Sequence, residues 1–133
     1  MIGYSPKFPL QFDNEVGAYS LNTTLGAVAK QNFKNLLLTS KGERIMDMDF
    51  GVGLRRFLFE PIGAGTRTLI ARTIEDQVGK YLSYITIGEV SFATSETEGS
   101  TISHLLSVQV KFSVPTLGME DNLVIDDDTR VGI

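Results

Sequence analysis

The chain has 133 residues, a net charge of -4, and 42% apolar, 21% charged and 9% aromatic residues, which is one domain's worth of foldable sequence and lies far from the composition of disordered chains. It has no cysteine and one histidine, so a disulfide framework, a thiolate zinc site, a cysteine nucleophile and a multi-histidine metal site are all excluded. No apolar run is longer than that of Leu36-Leu37-Leu38, far short of the roughly 18 residues of a membrane helix, so no membrane insertion is expected.

Met1 to Tyr19 reads as an extended arm. It holds Pro6 and Pro9, and Phe8, Leu10 and Phe12 alternate with polar or proline neighbours, which predicts a short strand. Its first ten residues contain no apolar core of signal-peptide length, so folding in a reducing cytoplasm is expected. Ser20 is a suitable helix N-cap, and from Leu21 to Leu38 the apolar residues Leu21, Leu25, Val28, Ala29, Phe33, Leu36 and Leu37 recur close to every 3.6 positions. Lys30, Gln31, Lys34 and Asn35 form the opposite face of this one-sided helix. Thr39-Ser40-Lys41-Gly42 then ends it.

Glu43 to Pro61 is the least regular stretch. Arg44 to Asp47 fits a short strand, Phe50-Gly51-Val52-Gly53 a glycine-flanked turn, and Leu54 to Phe59 a helical turn. A second helix is predicted from Thr66, its candidate cap, to Tyr81, with Ile70, Ile74, Val78 and Tyr81 on one face and Arg72–Asp76 and Asp76–Lys80 pairs on the other. After it the period drops to two. Ile85 and Ile87 share one phase and Val90 and Phe92 the other, so a β-bulge is expected beside Gly88. Thr94 to Ser100 makes a turn. Ile102, His104, Leu106, Val108, Val110, Phe112 and Val114 then alternate with mostly polar neighbours in a long strand that Pro115 ends. Leu123-Val124-Ile125 fits one more strand, short and at an edge.

The acidic imbalance is local. Beyond residue 118 lie Arg130 alone of the basic residues, and Glu120, Asp121, Asp126, Asp127 and Asp128 of the acidic ones, so the body is neutral and the tail 119–133 carries the whole net charge. A neutral body without a basic stripe argues against nucleic acid. The order of elements predicts an α+β domain over 1–133, with two main helices on one face of a small, mostly antiparallel sheet, an N-terminal arm over 1–19 and an acidic tail over 119–133. Because the tail's acids flank Leu123 to Ile125 as edge protection, its removal is expected to leave a folded domain.

Residue types alone reveal no active site. His104 lies in the apolar phase of its strand, no Gly-x-Ser-x-Gly elbow exists, and Gly51-Val52-Gly53 lacks the rest of a phosphate loop. The one enzyme reading with substance is a cell-wall glycosidase, a lysozyme-like use of paired carboxylates. Asp47 and Asp49 would lie roughly 6.6 Å apart in extended chain, with Glu43 or Glu60 as the acid. The lack of tryptophan and the nearby Lys41, Arg44, Arg55 and Arg56 weigh against it. No enzymatic activity, no cofactor, no metal and no small-molecule substrate are expected.

The irregular stretch carries a resemblance. Gln31 to Arg44, with Leu36-Leu37-Leu38 and Thr39-Ser40-Lys41-Gly42-Glu43-Arg44, runs on through Asp49-Phe50-Gly51-Val52-Gly53-Leu54 to Phe57-Leu58-Phe59-Glu60-Pro61. This string resembles the small baseplate wedge proteins of contractile phage tails and their counterparts in type VI secretion and other contractile injection systems, over about residues 8 to 125. The resemblance implies a structural protein located in the tail baseplate and assembled in the host cytoplasm, or in the bacterial cytoplasm if it serves a secretion system. It implies that the protein initiates the sheath, with the tail sheath protein, other wedge proteins and the tail tube as partners, through strands shared between subunits. The candidate partner-binding or motif residues are Gly42, Glu43, Arg44, Phe50, Gly51, Gly53, Leu54, Arg55, Phe57, Phe59, Leu123, Val124 and Ile125. Glu43 and Arg44 are free to pair within the segment or with a partner, and the aromatic and apolar residues to anchor it in the core. Lys41 and Met48 stand where such proteins often have proline. Leu82-Ser83-Tyr84 replaces the Glu-Pro-Arg triplet with which many of them dock, so a more apolar wedge contact is expected here.

Overall fold

A computed structural model of the chain describes residues 3–13, 18–58, 63–95 and 105–125. His104, Phe59, Glu60 and Asp126 to Asp128, singled out above, lie outside the described residues. Among these, the sequence folds as an α+β domain with a three-stranded antiparallel sheet of order β3-β4-β5, formed by Thr86–Ser95, Leu105–Val114 and Met119–Ile125. On the central strand β4, Val108, Val110, Phe112 and Val114 are at most 2% exposed, while Ser107, Gln109, Lys111 and Ser113 face the other way. This is the alternation the sequence shows.

The phase slip in β3 is a bulge. Ile87 lies opposite Phe112 and Val90 opposite Val110, so three steps on β3 match two on β4. The extra residue beside Gly88 turns Ile87, Val90 and Phe92 all onto the core despite their opposite phases. After β4 the chain makes a 3-10 turn at Pro115–Leu117, passes Gly118 in the left-handed region and returns as β5.

Two helices cover one face of the sheet, α1 (Leu25–Leu38) against β5 and α3 (Ala64–Tyr81) against β3, with the short α2 (Leu54–Leu58) between them. α1 buries Ala29, Phe33, Leu36 and Leu37, and the Phe33 ring meets Phe112 edge-on at 5.1 Å. Its start differs from the Ser20 cap expected. Thr24 is the cap, its Oγ1 accepting from Ala27 N, because Leu21–Asn22 is drawn into a two-residue strand, β2, paired with β1 at Ser5–Pro6.

Polar side chains hold that pairing. Asn22, only 7% exposed, donates through Nδ2 to Ser5 Oγ and to Gln31 Oε1. Gln31 Nε2 donates in turn to the Pro6 carbonyl, and Gln31 Oε1 also accepts from Phe8 N. The strand expected over Phe8, Leu10 and Phe12 is not formed, since the only arm residues with a ladder partner among those described are Ser5 and Pro6. Phe12 instead stacks on Tyr19 at 5.3 Å.

Three further expectations are corrected. α3 begins at Ala64, behind Gly63, rather than at Thr66. Neither the Arg72–Asp76 nor the Asp76–Lys80 pair is formed, and Lys80 Nζ reaches Asp49 at 3.8 Å instead. β5 is no detachable tail: it pairs with β4 from Met119 to Ile125, and its Leu123 and Ile125 belong to the core at 5% and 2% exposure. Removing residues 119–133 would take away one of three strands and two core side chains, so loss of the fold, rather than a folded remainder, is the outcome to expect.

Candidate partner-binding surfaces

Residues 39 to 53 link α1 to α2, and glycine governs their path. Gly51 has φ +118° and lies so close to Thr39 that a Cβ there would overlap the Thr39 carbonyl; no L side chain fits that conformation and that gap. Gly53, at φ +67°, donates its N–H to the same carbonyl at 2.9 Å, and Val52 N donates to Leu36 O. The segment thus closes the end of α1, whose last carbonyls would otherwise lack partners.

Gln77 fastens the segment to α3. Only 6% exposed, it accepts from Gly51 N at 3.1 Å and donates through Nε2 to the Asp49 carbonyl at 3.0 Å. This residue escaped the sequence reading because glutamine in a helix usually faces water. Its position, seven after Ile70 and three after Ile74, was the available signal. Phe50 packs edge-on against Tyr81 at 5.0 Å, and the Tyr81 hydroxyl donates to Asp47 Oδ1.

Among the candidate residues, Phe50, Gly51, Gly53 and Leu54 are therefore interior, Phe57 is half-buried and Arg55 is exposed. Glu43 and Arg44 are committed inside the segment: Glu43 Oε2 accepts from Ser40 N at 2.9 Å, and the Arg44 guanidinium lies 3.8 Å from the centre of the Phe50 ring. The short strand expected at Arg44 to Asp47 is a turn instead. Ile45 and Met46 point into solvent at 90% and 98% exposure, and Gly42 N bonds back to Met48 O. Leu82, in the position of the docking triplet, is core at 8% exposure, and Tyr84 Oη accepts from Asn32 Nδ2.

The second surface is the outer edge of the sheet. β3 is interrupted by its bulge, whereas β5 runs from Met119 to Ile125 without a register shift and has no second neighbour among the described residues. Leu123 and Ile125 face the core and Val124, 48% exposed, faces out. Lys30 of α1 reaches the same strand, 3.0 Å from Asp121, and this hydrogen bond holds the Asp121 carboxyl below its ordinary range.

Among the described carboxylates of the glycosidase reading, Asp47 and Asp49 are not set as a catalytic pair. Asp47 Oδ1 already accepts from Tyr81 and from Asp49 N. The Asp49 side chain is 79% exposed beside Lys80, whose own pKa is raised by its hydrogen bond to Tyr81 and by these acids. Three clefts of about 620, 700 and 310 Å³ on the described surface are lined by neither Asp47 nor Asp49. Among the described residues no three acids or histidines gather as a metal would require, and no helix is long and apolar enough to cross a membrane.

Comparison with known proteins bears on the same region. The sequence profile of the family described as baseplate wedge protein gp25 matches residues 24–121. Among curated proteins none matches by sequence. Solved structures sharing the fold include the following three. One is a protein of Geobacter sulfurreducens provisionally named a tail lysozyme, with TM-score 0.65 and 21% identity over 80% of this chain and 93% of that one. Another is a chain of the anti-feeding prophage baseplate, with TM-score 0.69 and 24% identity over 82% of each chain. The third is a chain of the R2 pyocin baseplate after contraction, with TM-score 0.51 and 19% identity over 87% and 98%.

Proposed function

The chain belongs to the baseplate wedge protein gp25 family, and on that footing we propose that it starts sheath assembly by offering the free edge of β5 to a strand of a sheath subunit. Its role is structural and its place is the baseplate of a contractile tail, among other baseplate proteins. The observation that carries the finer reading is the contrast between the two edges of the sheet. A bulge guards β3, while β5 presents an unbroken run of seven residues with no second neighbour among the described residues. An added strand would gain main-chain hydrogen bonds there and pockets for alternate side chains.

The protein acts without catalysis. Asp47, Asp49 and Glu43 are exposed or occupied by local hydrogen bonds, so purified protein is expected to leave peptidoglycan intact. Sheath and tube are its neighbours in this reading. Particles made without the chain should carry bare tubes when viewed by electron microscopy. Full-length sheath on such particles would refute the initiating role.

A further inference from the structure

The loop from Gly42 to Met48 has an inverted polarity. Met46 and Ile45, at 98% and 90%, are the most exposed large apolar side chains of the described residues, and Met48 of the same loop is 63% exposed. Its polar groups serve to hold it. Gly42 N closes the loop on Met48 O at 2.8 Å, Glu43 N donates to Ser40 O while its carboxylate accepts from Ser40 N, Arg44 lies on the Phe50 ring, and Asp47 accepts from Tyr81. Single exposed apolar residues are ordinary, but three within four positions on a tied loop are an interaction patch.

We propose that Ile45, Met46 and Met48 form a preformed apolar knob that seats in an uncharged apolar pocket on a neighbouring protein subunit. The loop is convex, so its counterpart is concave. Its carboxylates and guanidinium are already engaged within the chain, so polar groups in the pocket would lose their water with nothing to meet. The surrounding charges nearly balance, with Lys41, Arg44, Lys80 and Arg56, which shares a cleft with Lys41, against Glu43, Asp47 and Asp49, which gives a polyanion or an anionic bilayer little to hold. Three side chains are also too few for a stable membrane anchor. A rigid knob loses little conformational freedom on binding, and methionine adapts to the pocket wall. The proposal goes beyond the strand-addition reading and does not depend on it.

The test places a photoreactive benzoylphenylalanine at Met46 in cells producing the full chain, maps the crosslinked residue by mass spectrometry, and pairs it with Ile45→Ser/Met46→Ser. The crosslink should fall on an apolar pocket of a second protein. The double variant should melt within about 2 °C of the parent, as exposed substitutions do, yet enter tails at least about 10-fold less, as loss of an interface anchor does. A baseplate acceptor supports the knob and the baseplate role. An apolar pocket on a protein foreign to tails supports the knob and removes the baseplate role. Crosslinks to polar surface only, no crosslink while the chain still copurifies with tails, normal entry of the double variant, or Met46-dependent binding to phosphatidylglycerol vesicles would each overturn the proposal.

Discussion

The two halves of the segment from Gly42 to Leu54 behave in opposite ways, although together they form one continuous signature. Residues 50–54 turn inward: Phe50, Val52 and Leu54 join the core, and Gly51 and Gly53 press against Thr39. Residues 42–48 turn outward, with their charged groups folded back and Ile45 and Met46 in water. The inner half closes the helix end and fixes where the outer half stands, so substitutions in the former should be read in stability and those in the latter in assembly. β5 repeats the division at single-residue scale, with Leu123 in the core and Val124 outside.

The largest effect that would sharpen this division is expected at Gly51. Gly51→Val puts a β-branched residue at φ +118° and drives its Cβ into a backbone carbonyl. The strain and overpacking together should cost on the order of 4 kcal/mol, lowering the melting temperature by more than about 10 °C. A melting curve like that of the parent would mean that the inner half is not what closes the helix.

Gln77→Ala comes next. It strips partners from Gly51 N and the Asp49 carbonyl at a buried site, for a loss of about 2 kcal/mol by denaturant titration. Gln77→Ala without loss would break the claim that α3 positions the loop.

How much of this was legible depends on how local each signal is. The β4 alternation and the Gly88 bulge follow from side-chain phase within a few residues, and both appear in the structure. The start of α1 does not, because Ser20 and Leu21 fit a helix locally and only pairing with Ser5 and Pro6, far away in the chain, overrides that. Ile45 and Met46 suggest a strand by type, but have no ladder partner among the described residues. Gln77 looks like a solvent residue until Gly51 and Asp49 arrive beside it. The edge strand at Leu123 to Ile125 was visible as an apolar run, whereas its membership of the core rests on Val108 and Val110 opposite it.

A smaller effect concerns the ion pair that ties α1 to β5. Asp121 has a folded pKa below its ordinary value of 3.8 through its hydrogen bond to Lys30, so the pair stabilises the fold above that pH, and the contribution is lost as pH falls through the depressed value. Both side chains are about 40% exposed, which limits the contribution to roughly 0.5 kcal/mol. Lys30→Met should therefore be slightly less stable than the parent at pH 7, with the difference closing below pH 3.8. A difference independent of pH would assign the effect to packing instead.

Sheath growth on baseplates carrying Val124→Lys tests the central claim most directly. Val124 is half exposed on the outer face of an edge strand, so the lysine should leave the fold within about 0.5 kcal/mol of the parent while guarding the edge against pairing. Baseplates should contain the variant chain while their tubes lack sheath in electron micrographs. Normal sheath on baseplates shown to contain it would contradict strand addition at β5.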